Sequence, residues 1–170
     1  MTSLERLSKS DHDREGFDCG VEALNDYLKN SARQAQERGL SSTFVLTEEG
    51  ASSPKAILAY YTLSLCEVDQ SGIPASYRRK LPPRPCGAVR LARLGVDTRQ
   101  QGRGYGKTLI AAALRKFLFI HEQAGAIGLF VDAKDQAAAS FYSRFGFERL
   151  EEDGLTLFMP FKTIQESFKE

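Results

Sequence analysis

The chain has 170 residues, 42% of them apolar and 26% charged, with a formal net charge of +1. That length suits one domain (1–170) with a self-sufficient core, and those proportions exclude disorder and collagen-like repeats. No apolar run approaches the ~20 residues of a membrane helix. The opening MTSLERLSKSDHDRE is too polar for a secretory signal, so a cytoplasmic protein without membrane contact is expected.

Residues 3–8 read as a short first strand. Val21, Leu24, Leu28, Ala32 and Ala35 recur at helical spacing, which predicts one amphipathic helix over 21–37, stopped by Gly39. Residues 43–47 read as a strand and 50–54 as a turn. The β-branched and aromatic stretch 56–68 is the hairpin partner of that strand. Residues 69–85, bounded by SGIP and PPRP, form a loop with at most a short helix. A strand over 88–96, a glycine turn over 102–106 and a helix over 107–122 follow. Leu109, Ile110, Ala113, Leu114, Phe117 and Leu118 give that helix one apolar face. The continuous apolar run 127–132 predicts a central strand buried on both faces. Asp135 is placed to cap a helix through Phe145, and Gly146 to end it. Residues 147–150 and 155–159 read as closing strands. This order predicts a mixed α/β sheet with helices on both sides.

Cys19, Cys66 and Cys86 are odd in number and lack metal spacing, so they read as reduced thiols without chemistry. His12 and His121 are too few and too far apart for a metal site, and none is expected. His121, near a helix end, reads as a favourable dipole partner. The near-zero net charge conceals an asymmetry. Between Arg78 and Lys116 lie eleven lysines and arginines and a single acid, Asp97, a net of +10 against −9 elsewhere. Such a segment points to an anionic ligand, or to a solvated face balanced in space by acids from other segments.

Inside it runs Val96-Asp-Thr-Arg-Gln-Gln-Gly-Arg-Gly-Tyr-Gly-Lys107, a strand entering, glycines turning and a helix leaving. Exposed backbone N–H groups at a helix start suit a phosphate. A nucleotide P-loop fails because Gln101 stands where its first glycine is required, and a dinucleotide fingerprint fails at Lys107. The segment from Gln101 to Gly106 does fit Q/R-x-x-G-x-G/A. With the later Asp135-Gln-Ala-Ala138-Ala-Ser-Phe141-Tyr142-Ser-Arg-Phe-Gly146-Phe147, it resembles the GNAT family of N-acetyltransferases. The resemblance is specific from Arg90 to Phe147, with Asp135 standing where that family usually has Asn.

The resemblance implies a GNAT fold: a central mixed twisted sheet of six to seven strands flanked by about four helices. It implies acetyl-CoA as cosubstrate, with no metal. Leu94, Gly95 and Val96 would hold the thioester, and Gln101, Gly102, Arg103, Gly104, Tyr105, Gly106 and Lys107 the pyrophosphate. Asp135 and Ser140 would add cofactor contacts, and Tyr142 would be the general acid for the leaving thiolate. Tyr142 also shares a helical face with Ala138, Phe141 and Phe145, so a purely core role stays open. No general base stands out.

The opening Phe17-Asp-Cys-Gly20-Val-Glu-Ala-Leu24-Asn25-Asp-Tyr-Leu28 resembles the toxin branch that acetylates the amino acid on charged transfer RNA. That branch implies a small ribbon-helix-helix antitoxin, a homodimer, and RNA contacts from Arg78, Arg79, Lys80, Arg84 and Arg93. The alternatives are acetylation of a small-molecule amine or peptide N-terminus, and a non-catalytic acetyl-CoA-binding regulatory module.

Overall fold

The computed structural model describes residues 1–169. In chain order the elements are β1 (Thr2–Arg6), β2 (His12–Asp13), α1 (Glu22–Asn30), α2 (Ala32–Glu37), β3 (Ser42–Glu48), β4 (Lys55–Ala56) and β5 (Ala59–Val68). Then come α3 (Ala75–Arg78), β6 (Cys86–Val96), α4 (Tyr105–Ala124), β7 (Gly128–Asp132), α5 (Gln136–Arg144), β8 (Glu148–Arg149), β9 (Thr156–Pro160) and α6 (Phe161–Glu166). Seven strands form one mixed sheet in the order β1-β3-β5-β6-β7-β9-β8, while β2 and β4 pair in parallel apart from it. The chain forms two compact units, Met1–Ser64 with Ala92–Ala112, and Leu65–Leu91 with the residues from Ala113 onward.

In the first unit β1 runs antiparallel to β3, and β3 antiparallel to β5. Leu7, Phe17, Leu28, Ala32, Val45, Ile57 and Tyr60 make its core. The single helix expected over 21–37 is two, because Ser31 leaves helical geometry at φ −128° and ψ −34°. Asn30 and Ser31 are poor helix formers, and the break lets Ala32 start a second segment with its side chain wholly buried. The strand expected over 56–68 is likewise divided into β4 and β5. Sequence periodicity missed β2, whose His12 is buried. The Ser8 N–H donates to His12 Nδ1 (3.0 Å), so Nε2 carries the proton and donates to Glu5 (2.7 Å). Lys55 and His12 together hold the Glu5 carboxyl below its ordinary range.

In the second unit β7 pairs in parallel with β6 and antiparallel with β9. Residues 128–131 are buried as expected, and Asp132 emerges at the strand end. Val68, Ile73, Ala88, Phe130 and Phe158 form the core beneath half-buried Tyr77, Leu81 and Leu150. Gly128 is where β7 lets the Phe158 ring and the Met159 carbonyl approach the backbone, since a Cβ there would collide with both. Asp135 caps α5 as expected, its Oδ1 accepting from the Ala138 N–H at 2.8 Å, and Gly146 takes the left-handed φ of 101°. His121 Nδ1 donates to the Ala126 carbonyl (2.8 Å), and its ring stacks on Phe161. It bonds a loop carbonyl rather than serving only as a dipole partner. Helix α6 is an addition that the sequence pattern did not reveal.

Candidate active site

In the first unit the end of β6 carries Leu94, Gly95 and Val96 into a 3-10 turn over Thr98–Gln100. Gly102 and Gly104 then take left-handed φ of 82° and 81°, with nothing within 4 Å of where a Cβ would stand. These two positions need glycine for conformation, not for room, and their outer faces lie open. Helix α4 begins at Tyr105, and the Gly104 carbonyl accepts its first bond from the Thr108 N–H at 3.1 Å. Gly106 therefore belongs to the first helical turn, not to the glycine turn expected over 102–106. The start of this twenty-residue helix aims N–H groups and the positive dipole end outward. Arg103 and Lys107 are exposed beside it. Such a cradle fits a pyrophosphate.

Gln101 turns its amide back, donating to the carbonyls of Val96 (3.1 Å) and Cys19 (3.4 Å), so it braces the turn from beneath. Gly95 is buried against the N-terminal loop: an added Cβ would stand 3.3 Å from Cys19 Sγ and 3.6 Å from Leu24 Cδ1. Arg93 lays its guanidinium over the Tyr27 ring at 4.4 Å and also donates to the Ala92 carbonyl.

Sequence reasoning noticed Asp97 only as the single acid in a basic stretch. It is the buried hub of this unit, 1% exposed. Arg99 grips it with Nε on Oδ1 and Nη2 on Oδ2, both at 2.9 Å. The backbone N–H groups of Arg99 and Asp18 donate to it as well, at 2.9 and 3.1 Å. These donors, Arg99 first, hold its carboxyl down at about 2. The alternation of Asp97 with Arg99 at a strand end was the available signal.

In the second unit Tyr142 sits on α5, buried, with the rings of Phe141 and Phe147 edge-on at 5.3 and 5.8 Å. Burial pushes its phenol up to about 12. Its hydroxyl has no hydrogen-bond partner among the described residues. Asp135 spends one carboxylate oxygen on the α5 cap, and Ser140 is exposed on the same helix. At the end of β7, Asp132 pairs with Arg90 and accepts from Thr156 Oγ1 at 2.9 Å, a row spanning β6, β7 and β9 that sequence spacing did not announce.

Arg78, Arg79, Lys80 and Arg84 are all exposed on the segment between β5 and β6. Arg78 Nη2 donates to the Ile73 carbonyl at 3.1 Å, and Lys80 stands over the Tyr77 ring at 5.8 Å. Arg78, Ile73, Pro74, Leu150, Glu151 and Thr156 line a cavity of about 430 Å³. Among the described residues no cluster of His, Cys, Asp and Glu could hold a metal ion, and no helix is long and apolar enough to cross a membrane.

Residues 41–149 match the family model described as an acetyltransferase (GNAT) domain. The chain is 31% identical over 157 residues to a tRNA-acetylating toxin of Mycobacterium tuberculosis (strain ATCC 25618 / H37Rv), covering 92% of this chain and 90% of that protein. It is similar to the structure of AtaT complexed with acetyl-methionyl-tRNAfMet, with a TM-score of 0.89, 31% identity, and coverage of 99% of this chain and 100% of that one. A tyrosine-to-phenylalanine mutant of the AtaT toxin, bound to the C-terminus of the antitoxin AtaR and acetyl-CoA, gives a TM-score of 0.84 at 29% identity, with 99% of each chain covered.

Proposed function

The chain belongs to the GNAT acetyltransferase family and takes its acetyl group from acetyl-CoA, and we propose that the acceptor is the amino group of an aminoacyl-tRNA. In this reading the chain is one acetyltransferase domain and the toxin of a toxin–antitoxin pair. The observation that carries it is the reach of the likeness. The acetyltransferase model covers residues 41–149, whereas the correspondence to a toxin holding its acetylated tRNA covers 99% of the chain, the N-terminal opening included. The excess of +10 between Arg78 and Lys116 supports it, since it exceeds what the few phosphates of acetyl-CoA require. An antitoxin partner is supported by the toxin–antitoxin complex among the similar structures, and a small ribbon-helix-helix fold for it, a homodimer and a cytoplasmic setting belong to the same proposal.

Acetyl-CoA supplies an activated thioester. In transfer a C–N bond forms, the C–S bond breaks, the amine loses a proton to solvent and the sulfur must gain one. Gly102, Gly104 and the first N–H groups of α4, with Arg103 and Lys107, hold the pyrophosphate. Backbone groups of Leu94, Gly95 and Val96 orient the thioester carbonyl, a contribution on the order of 10²–10³ in rate per donor. Tyr142 keeps its proton across the neutral range and has a hydroxyl uncommitted among the described residues, which makes it the proposed donor to the leaving sulfur. A phenol at about 12 is a weaker acid than an ordinary thiol, ~8.5, so its first contribution is a hydrogen bond to the departing thiolate. Proton transfer completes as desolvation raises the thiolate in turn. An α-amino acceptor, pKa ~7.7–8.0, is already substantially neutral near pH 7, so positioning replaces a general base.

Labelled acetyl-CoA, incubated with total aminoacylated tRNA and with a deacylated control, tests the acceptor. Label on the charged pool alone is the expected result. Label on neither pool, with acetyl-CoA still bound, moves the acceptor to a small-molecule or peptide amine.

A further inference from the structure

The N-terminal opening from Phe17 to Leu28 has no role in the chemistry above, yet almost every polar group in it is committed. Asp18 Oδ1 accepts from the Gly20 N–H (2.9 Å) and from Asn25 Nδ2 (2.8 Å). Asn25 Oδ1 accepts in return from the Cys19 N–H at 2.9 Å. Phe17 is buried edge-on against Tyr60, whose hydroxyl donates to the Leu24 carbonyl at 2.7 Å. Gly20, at φ 83°, brings the backbone within 3.4 Å (for an added Cβ) of the Thr98 methyl. The result is a rigid knot made from residues 17–25.

That knot and the preceding Gly16 are fastened to the phosphate turn at five points. The Asp18 N–H donates to Asp97 Oδ2, and the Thr98 N–H to the Asp18 carbonyl at 2.8 Å. Arg99 Nη2 bridges from Asp97 to the Gly16 carbonyl at 3.0 Å. Gln101 reaches the Cys19 carbonyl, and Gly95 admits Cys19 and Leu24 against β6. Every fastening lies between Gly95, near the end of β6, and the first left-handed glycine, the stretch whose path sets where Gly102 and Gly104 present their N–H groups.

We infer that Asp97 is a positioning residue for the acetyl-CoA turn, acting through Arg99 and the residue 16–20 loop, so that the toxin-like opening serves the donor side of the reaction. This rests on the reading that the Gly102–Gly104 turn holds acetyl-CoA. Displacing a preorganised phosphate cradle weakens ground-state binding without touching the group that protonates sulfur. Bidentate geometry matters here, and a lysine at position 99 would keep the charge without the fork.

The test uses the full chain. Acetyl-CoA affinity is measured by calorimetry, thermal midpoint by melting, and steady-state constants with charged tRNA, for Asp97→Asn, Arg99→Met, Arg99→Lys and the Asp97→Asn/Arg99→Met double variant. Arg99 has a 69% exposed side chain, so its variants fold even if Asp97→Asn does not. The expected result is a rise of about tenfold or more in acetyl-CoA Kd and KM, as for loss of a charged hydrogen bond. The tRNA KM and kcat should change less than about twofold, Arg99→Lys should recover part of the loss, and the double variant should lose no more than the worse single one. A lowered thermal midpoint with unchanged acetyl-CoA affinity overturns the inference, leaving a structural anchor only. Additive losses overturn it too, because they make Arg99 a direct phosphate contact independent of Asp97. A wild-type chain that binds no acetyl-CoA would instead fail the reading of the turn itself.

Discussion

Tyr142 meets the ring of Phe147 edge-on, with centroids 5.8 Å apart and planes at 71°. Phenylalanine would make the same contact, so Tyr142→Phe removes a hydroxyl and nothing from the packing. Acetyl-CoA affinity and thermal midpoint should be unchanged, while turnover falls by about 10²–10⁴. Turnover equal to wild type would return Tyr142 to the core.

The pH profile follows from the same side chain. Transfer needs the acceptor amine neutral and Tyr142 protonated. The rate should rise through the α-amino pKa, ~7.7–8.0, and then stay level to about pH 10. No falling limb is expected in that window, because burial holds the Tyr142 proton up to about 12. An unshifted phenol, ~10, would already have lost half its activity at the top of the window. Single-turnover rates across it would reveal such a limb, and finding one would assign the acid elsewhere.

Arg78, Arg79 and Lys80 lie consecutively and exposed, apart in sequence from the glycine turn. Reversing all three to Glu should raise the tRNA KM steeply and lower the salt slope of binding by about 2–3, since each phosphate contact contributes ~0.7–0.9. Acetyl-CoA affinity should hold. Equal loss of both ligands would show that these cations do not divide the labour in this way.

Gly128→Ala tests the packing at the centre of the second unit. The new Cβ would run into the Phe158 ring and the Met159 carbonyl, and the backbone partner cannot step aside without disturbing the β7–β9 ladder. Overpacking of this kind costs about 1–3 kcal/mol. At roughly 2–4 °C per kcal/mol for a chain this long, the midpoint should drop measurably in a thermal melt. A midpoint equal to wild type would mean the strand yields more readily than its ladder implies.

What the amino-acid order revealed, and what it hid, divides by the range of the interaction. Strong local patterns were legible: the apolar run at 128–131, the α4 face of Leu109, Ile110, Ala113 and Phe117, the Asp135 cap, and the left-handed glycines. These follow from period, propensity and φ. The break at Ser31 was not, because burying Ala32 is a tertiary demand that overrides a continuous helical period. Helix α6 and β2 are too short for periodicity to register. In the candidate site, the glycine turn and Tyr142 were visible as spaced motifs. The Arg90–Asp132–Thr156 row was not, since its members come from separate strands, and the Asp97–Arg99 pair showed only as a local alternation because its further partner, the Asp18 N–H, lies far away in the chain. Gln101 was found by motif but bonds back to the Val96 and Cys19 carbonyls, a commitment that no one-dimensional pattern encodes.

The bond between the Asp18 N–H and Asp97 joins positions 79 apart in the chain. During synthesis the N-terminal knot therefore emerges well before the residue it must fasten. At about 5–20 residues per second, Asp97 follows roughly 4–16 seconds later. The phosphate turn is thus seated only after Asp97 has been made, and a ribosome whose nascent chain stops short of it carries no assembled donor site.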